Sequence, residues 1–160
     1  MDTSLLTING GSSSIKFAVY TRATLARTLH GSIERVGLSG SALVFADMSG
    51  HAQTDSVPVA NMAEAIVRLK KFLSVHVDMS QVTAIGHRVV HGMQQESHQI
   101  ISPELIEELK QISPVDPEHM PSEIALIEMF ATEYPSITQV ACFDTVFHHD
   151  MPRVAQMLPF

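Results

Sequence analysis

The sequence has little of two things that large classes of protein depend on. It contains a single cysteine, Cys142, among 160 residues, which excludes an internal disulfide and a metal site built from several thiolates. Basic residues are also scarce, because 10 Lys and Arg stand against 17 Asp and Glu and leave a net charge of −7. This balance argues against a nucleic-acid-binding surface. It does not exclude an anionic substrate, since a pocket can be locally positive on an acidic protein.

Long hydrophobic runs are missing as well. No apolar stretch approaches the length that spans a bilayer, and the first residues, MDTSLLTI, are acidic and polar where a secretory signal is basic. We therefore predict a cytoplasmic protein with no membrane partner, in which Cys142 is a small buried residue. With 45% hydrophobic residues, the chain is predicted to form one globular domain that buries roughly two thirds of its surface.

The hydrophobic pattern changes its period along the chain. Alternating residues predict strands first, over 5–9, 14–21, 25–36, 42–48 and 51–57, with the first two forming a hairpin. Helical spacing predicts helices from Asn61 to 73, from Ser102 to 112 and from Ser122 to about 134, with buried strands at 82–90 and 138–147. This order predicts an α/β domain with a mixed β-sheet and helices packed on it.

The segment INGGSSSIK lies between the first two predicted strands and is the first candidate for function. Its glycines would let the backbone approach an anion, and its serine hydroxyls and backbone N–H groups could surround phosphate oxygens. It is not a Walker A loop, because the spacing differs and a strand follows. A purely structural Gly/Ser hairpin remains the alternative, with Lys16 as an outward strand residue.

The segment GHRVVHG, residues 86–92, is the second candidate. His87 and His91 stand four apart, but the glutamate of the H-E-x-x-H zinc motif is missing, and the flanking residues predict a strand. In a strand, His87 and Val89 share one face while Gly86 and Arg88 share the other. An arginine on so apolar a strand needs an anionic partner, which is either a ligand in a cleft or a structural carboxylate.

The segment CFDTVFHHDMP is the third candidate. Asp144 is predicted to lie inside a very apolar strand, where a carboxylate is costly unless it is paired, binds a metal or faces a site. His148 and His149 follow at the strand's end, where the ligand loops of α/β sheets gather. An aspartate that merely caps a loop is the alternative. The other histidines, His30, His51, His76, His98 and His119, show no ligand spacing and are predicted to lie at the surface.

In this order and at these separations, the three segments resemble the acetate kinase family, from about Leu5 to Phe160. The resemblance implies an RNase H-like (actin-like ATPase) domain, the first of two that face each other across a cleft. Residues 1–150 would form this N-terminal domain, and residues 151–160 would begin the crossing to an absent nucleotide-binding domain. The family moves the γ-phosphoryl group of ATP, with Mg²⁺, to the carboxylate of a short fatty acid.

Matched position by position, the resemblance also implies roles for single residues. Asn9 would help to place the phosphoryl group and its Mg²⁺, and Arg88 would bind the carboxylate or the phosphoryl oxygens. Val90 would line the pocket for the methyl group, and Asp144 would act near the metal and the acceptor. The loop would be supported by Ser12, Ser14 and Lys16.

Two positions depart from the family pattern. Met93 stands where the family has a glycine, and Asp116 stands where it has a histidine that contacts phosphate. These changes leave propionate or butyrate open as the acceptor. Because the family has about twice this length, the chain alone is predicted to lack kinase activity and to act with its missing C-terminal half or as a homodimer. A non-catalytic module that binds phosphate or carboxylate, or completes a separate partner, is the remaining alternative.

Overall fold

The computed structural model describes residues 2–92, 95 and 97–147, with only the backbone given for Phe147. Five strands come first: β1 Ser4–Gly10, β2 Ile15–Thr21, β3 Arg27–Glu34, β4 Ala42–Asp47 and β5 Ala52–Ser56. Helices then alternate with strands: α1 Met62–His76, β6 Val82–Val89, β7 Gln99–Ile100, α2 Pro103–Ile112, α3 Met120–Glu133, β8 Thr138–Phe143 and α4 Asp144–Phe147. Short 3₁₀ turns occupy Met79–Gln81 and Ser113–Val115.

All eight strands form one mixed sheet, in the order β5-β4-β3-β2-β1-β6-β8-β7. β1 and β2 pair antiparallel, with Asn9 opposite Lys16, which confirms the predicted hairpin. The neighbours β1, β6 and β8 are parallel to one another. The mixed α/β sheet predicted from the change of hydrophobic period is therefore confirmed.

Two helices begin where the sequence predicts. The Asn61 side chain accepts a hydrogen bond from the Glu64 amide at 3.0 Å, and the Ser102 hydroxyl accepts from the Leu105 amide at 3.2 Å. Both contacts satisfy first-turn N–H groups that have no partner inside the helix. In α2, Pro103 adds a fixed φ at the first helical position, as predicted.

Two predicted element boundaries are wrong. α3 begins at Met120 rather than after Ser122, whose hydroxyl donates to the Gly11 carbonyl and to the His119 carbonyl instead of capping the helix. The predicted strand 138–147 ends at Phe143, and Asp144 opens the short helix α4. Asp144 thus lies just past the strand rather than inside it. The prediction placed the strand's end too late because apolar residues recur in α4.

The hydrophobic core lies on one face of the sheet. A large cluster joins Leu6, Ile8, Phe17 and Ile85 of the sheet to residues of α1 and α3. A second cluster joins Val89 and Phe143 to α2 and α3. Residues of the opposite parity, including Thr7, Asn9, Gly86 and Arg88, form the other face and line a cavity there. Among the described residues, the helices are too short or too polar for any of them to cross a bilayer.

Candidate active site

The carboxyl ends of three parallel strands meet at one edge of the sheet. Asn9 lies near the end of β1, Arg88 near the end of β6, and Asp144 directly after β8. In open α/β sheets, ligands bind in the crevice outside these carboxyl ends. Loop 10–14, between β1 and β2, begins at the same edge. The fold therefore brings the three candidate segments together.

Arg88 joins the other two residues through its guanidinium. Its Nε lies 3.1 Å from Oδ1 and 3.0 Å from Oδ2 of Asp144, and its Nη2 also donates to Oδ2. Its Nη1 donates to Oδ1 of Asn9 at 3.3 Å. The fork geometry of a guanidinium suits a carboxylate that it meets with two nitrogens. Arg88 has the anionic partner that its position on an apolar strand required.

This ion pair remains open to solvent. The Arg88 and Asp144 side chains are 37% and 38% exposed. Pairs this exposed contribute little to the free energy of unfolding, because water screens the attraction. An anionic solute that reaches the edge can compete with Asp144 for the guanidinium, so the same geometry serves a structural pair and an anion site.

Loop 10–14 is held by its glycines and by the backbone. A Cβ on Gly10 would lie 2.7 Å from Cδ1 of Leu126 in α3, so the loop needs a glycine where the helix packs against it. The Gly11 amide donates to the Ser14 carbonyl at 2.8 Å and closes the turn. Ser122 on α3 donates to the Gly11 carbonyl at 3.3 Å. One glycine of the segment therefore has a packing role, which supports part of the structural alternative.

The loop's polar residues remain accessible. Ser12 is exposed and Ser14 is half-buried. Lys16 is exposed beside Asn9 on the neighbouring strand, and both residues line the same cavity as Arg88. This places a second cation near the guanidinium.

Val90 lies directly after β6, two residues past Arg88, and is half-buried. Its side chain packs against the second core cluster, and its amide donates to Oε2 of Glu123 at 3.1 Å. Val90 is therefore held by a carboxylate from α3, and it is not among the residues that line the cavity beside Arg88, so its pocket-lining role stays a prediction.

Sequence reasoning missed Glu123. Its side chain is completely buried, and burial raises its pKa to about 7, opposed by the Val90 amide and the Arg88 charge. Its Oε1 lies 4.0 Å from Nη1 of Arg88. A glutamate in the first turn of a helix is common and also stabilises the helix dipole, so the sequence gives little sign of this role.

His119 directly precedes α3, and its side chain is 35% exposed, so it remains at the surface. Its Nδ1 lies 3.0 Å from Oδ1 of Asp116. This contact lowers the pKa of the Asp116 carboxyl. The Asp116 carboxylate is therefore paired with the imidazole of His119.

The cavity beside Arg88 has a volume of about 400 Å³. Its lining includes the charged residues Lys16, Arg88 and Asp144 and the small residues Ala18 and Gly86. Cys142 also lines it and is half-buried rather than buried as predicted, and burial still raises the pKa of its thiol. An anionic head with a small apolar group matches this lining.

The side chains at the sheet edge can supply two kinds of oxygen ligand. Among the residues that the structure describes, no three His, Cys, Asp or Glu side chains are arranged to hold a metal ion. The Asn9 amide oxygen and the Asp144 carboxylate both contact Arg88. Such a pair fits Mg²⁺, which commonly takes one or two protein oxygens and completes its shell with phosphate and water.

Three predicted positions, Met93, His148 and His149, lie outside the described residues, as does segment 151–160. The division of the chain at residue 150 therefore stays a prediction.

Solved structures place the fold in a known class. A propionate kinase from Francisella tularensis aligns with a TM-score of 0.81 and 31% identity over 95% of this chain. An acetate kinase from Porphyromonas gingivalis aligns with a TM-score of 0.81 and 27% identity over 99% of this chain. The chain covers 39% and 42% of those two chains. The fold is that of the actin-like ATPases, with a mixed sheet and packed helices, as predicted.

The family follows from the sequence comparisons. A model of the acetokinase family matches residues 4–160. The acetate kinase of Clostridium kluyveri is 35% identical over 97% of this chain, and that of Bacillus subtilis is 32% identical over 98%. The chain belongs to the acetokinase family, a family of kinases, which confirms the resemblance of the three segments. It spans about 40% of the length of these relatives and matches their N-terminal domain.

Proposed function

We propose that this chain forms the N-terminal domain of a kinase that moves the γ-phosphoryl group of ATP to the carboxylate of a short-chain fatty acid, with acetate as the leading acceptor. The observation that carries the proposal is the meeting of Asn9, Arg88 and Asp144 at the carboxyl ends of parallel strands. Family membership supports the reaction class. The proposed products are acetyl phosphate and ADP, and the cytoplasmic location stays a prediction.

The reaction needs little proton chemistry. A carboxylate oxygen bonds to the γ-phosphorus while the bond from that phosphorus to the β,γ-bridging oxygen breaks, and ADP leaves with the electron pair. Carboxylic acids have pKa values near 4, so the acceptor is already ionised at neutral pH and needs no general base. The protein's task is therefore to position two anions and to offset their repulsion.

The site residues suit that task. Arg88 offers a planar fork to the acceptor carboxylate or to the phosphoryl oxygens, and Lys16 adds positive charge from the next strand. By family resemblance Val90 would contact the acceptor's alkyl group, and that contact would form outside the cavity beside Arg88, whose lining residues do not include Val90. The loop, with Ser12 and Ser14, offers hydroxyl and N–H donors.

Mg²⁺ is the proposed metal, because oxygen ligands and phosphates are what it prefers. When bound, it would neutralise charge on the transferring phosphate. Asn9 and Asp144 are the residues that would hold it, and each would have to exchange its contact with Arg88.

The alternative acceptors are propionate and butyrate. The alignment with a protein described as a propionate kinase favours keeping this alternative. A fusion of residues 1–160 to the remaining part of Bacillus subtilis acetate kinase would test both. We expect acyl phosphate formation from ATP and Mg²⁺, and the ratio of kcat/KM among acetate, propionate and butyrate identifies the acceptor.

The same assay on the unfused chain tests whether the 160 residues alone can catalyse the reaction. We expect no acyl phosphate from the 160 residues alone, because they span about 40% of the relatives. Activity of the chain alone would overturn that expectation. If a folded fusion turned over none of the three acids yet the chain bound acetyl phosphate in an NMR titration, the non-catalytic binding module would be favoured instead.

A further inference from the structure

One carboxylate oxygen of Glu123, Oε1, makes no hydrogen bond to the described residues. The side chain is completely buried, and Oε2 accepts the Val90 amide at 3.1 Å. Oε1 has no hydrogen-bond partner among the described residues. A buried polar atom without a partner is rare in a folded protein and points to a partner that arrives in another arrangement.

Among the described residues, the cation that comes within 4.0 Å of this oxygen is Arg88. Its Nη1 lies 4.0 Å from Oε1, which is beyond hydrogen-bond distance but close enough for a small rotation to close. Nη1 carries two N–H groups, and the structure uses it for a 3.3 Å contact with Asn9. The Arg88 guanidinium therefore stands between two carboxylates, with Asp144 bound and Glu123 within reach.

The proposed reaction would require Arg88 to exchange its present partners. If Asn9 and Asp144 turn to a metal or to the reacting groups, Arg88 loses the contacts that now orient it. A half-buried arginine without a partner would lose its fixed orientation, and anion recognition depends on that orientation. Glu123 is fixed by its burial and by the Val90 amide, so it can serve as a standing partner.

We propose that Glu123 is a positioning residue for Arg88, whose buried Oε1 accepts Nη1 when Asp144 and Asn9 leave the guanidinium. The reason for Asp144 to leave rests on the proposed function. The exchange of partners itself is a property of this chain and can be measured without any reaction.

The charged groups around Glu123 are consistent with this role. Arg88 faces it from β6 and His119 from the start of α3, and both favour the ionised carboxylate. Asp144 faces it from the start of α4 and disfavours ionisation. A cation bound to Asp144 would offset its charge, which would favour an ionised Glu123 when Arg88 needs a new partner.

A double-mutant cycle on the 160-residue chain tests the proposal. The variants are Asp144→Asn, Glu123→Gln and the two combined, and the measurement is the ¹⁵N order parameter of the Arg88 Nε–H group at pH 7.5. We expect Arg88 to stay ordered, at about 0.8, in each single variant and to fall below about 0.6 only in the double variant. Gln keeps the acceptor for the Val90 amide, so a merely structural Glu123 would give no such difference.

Glu128→Gln, on the same helix, is the matched control and should change nothing when combined with Asp144→Asn. If Asp144→Asn alone releases Arg88, the proposal is wrong. If the double variant does not fold, the pKa of Glu123 measured by ¹³C NMR in Asp144→Asn decides the question. We expect Asp144→Asn to lower the proton affinity of Glu123 at least about tenfold more in the parent than in an Arg88→Gln background, where only the loss of the Asp144 charge acts, and equal falls in the two backgrounds contradict the pairing. Failure of the kinase assay with a positive cycle would reject the proposed function alone.

Discussion

Arg88 and Asp144 bind each other across two neighbouring parallel strands, with two guanidinium nitrogens on one carboxylate. Both side chains are more than a third exposed. The pair therefore joins two residues of the candidate site without contributing much to the stability of the fold. Mutation can separate its effect on activity from its effect on stability.

Arg88→Ala should lower kcat/KM of the fused enzyme for its carboxylate by at least about 100-fold, since it removes a contact to the charge that is transferred. The midpoint of thermal unfolding should change little, because an exposed ion pair contributes up to about 1 kcal/mol. Arg88→Lys should recover only part of the activity, since an ammonium lacks the planar fork.

Lys70→Ala is the matched control for this prediction. Lys70 pairs with Glu133 at the surface, and neither residue lines the cavity beside Arg88. Its removal should leave kcat/KM unchanged. Activity of Arg88→Ala within a few-fold of the parent enzyme would mean that Arg88 is structural.

The sequence predicted the elements that depend on local periodicity and capping. Asn61 and Ser102 each cap a helix where expected. The resemblance of three segments to one family, rather than periodicity, predicts that Asn9, Arg88 and Asp144 share a site, and their contacts bring them together. The end of β8 was missed, because Val146 resumes the apolar pattern two residues after Asp144 and makes the run look like a longer strand. Periodicity does not distinguish a buried strand from a short buried helix in such a run.

Glu123 was missed for a different reason. Its role depends on a contact between α3 and the end of β6, which are 33 residues apart. Ser122 likewise meets Gly11 across 111 residues. Pairs at such separations follow from tertiary packing, and nothing in the local sequence of α3 distinguishes Glu123 from an exposed first-turn glutamate.

His87 gives the fold a stability that is lost in acid. It is buried on β6, its Nε2 lies 2.7 Å from Oε1 of Gln139, and burial lowers its pKa from 6.5 to about 4. The unfolded chain therefore binds a proton more readily than the folded one between these values. The free energy of unfolding should fall as pH drops from 6.5 through 4, by on the order of 3 kcal/mol from this residue.

His87→Gln provides the comparison, because its amide can still donate to Gln139 but does not titrate. Urea unfolding at intervals from pH 4 to 8 should show that this variant gains stability as the pH falls from 6.5 to 4.5, where the loss from His87 offsets that gain in the parent. An identical pH dependence in both proteins would contradict the assignment.

The contribution of Glu123 to stability changes with pH in the opposite direction. Its pKa rises from 4.5 in the unfolded chain to about 7 in the folded one, so the folded state binds the proton more tightly. This contribution to stability is complete below pH 4.5 and is lost as pH rises through 7. Glu123→Gln should remove that loss and make the protein more stable than the parent at pH 8, by up to about 3 kcal/mol.

Because the two residues act in opposite directions between pH 4.5 and 6.5, the parent protein should show a flat stability there. The two variants separate these contributions, since each one removes the pH dependence of stability that one residue causes. A Glu123→Gln protein less stable than the parent at pH 8 would mean that the ionised carboxylate is well paired, against the raised pKa.

Gly31 tests the packing of the sheet beneath α1. A Cβ at this position would collide with the Val44 carbonyl and lie 2.7 Å from the ring of Phe17 and 2.8 Å from Cβ of Phe45. A backbone carbonyl in a paired strand cannot move aside cheaply, so Gly31→Ala should destabilise the fold by about 3 kcal/mol or prevent it from forming. Gly86→Ala is the matched control, because there the new Cβ would meet only Cys142 Sγ, at 3.8 Å, which is an ordinary contact. Urea unfolding of both variants should show a large loss for Gly31→Ala and a change within about 0.5 kcal/mol for Gly86→Ala, and equal losses would refute the steric argument.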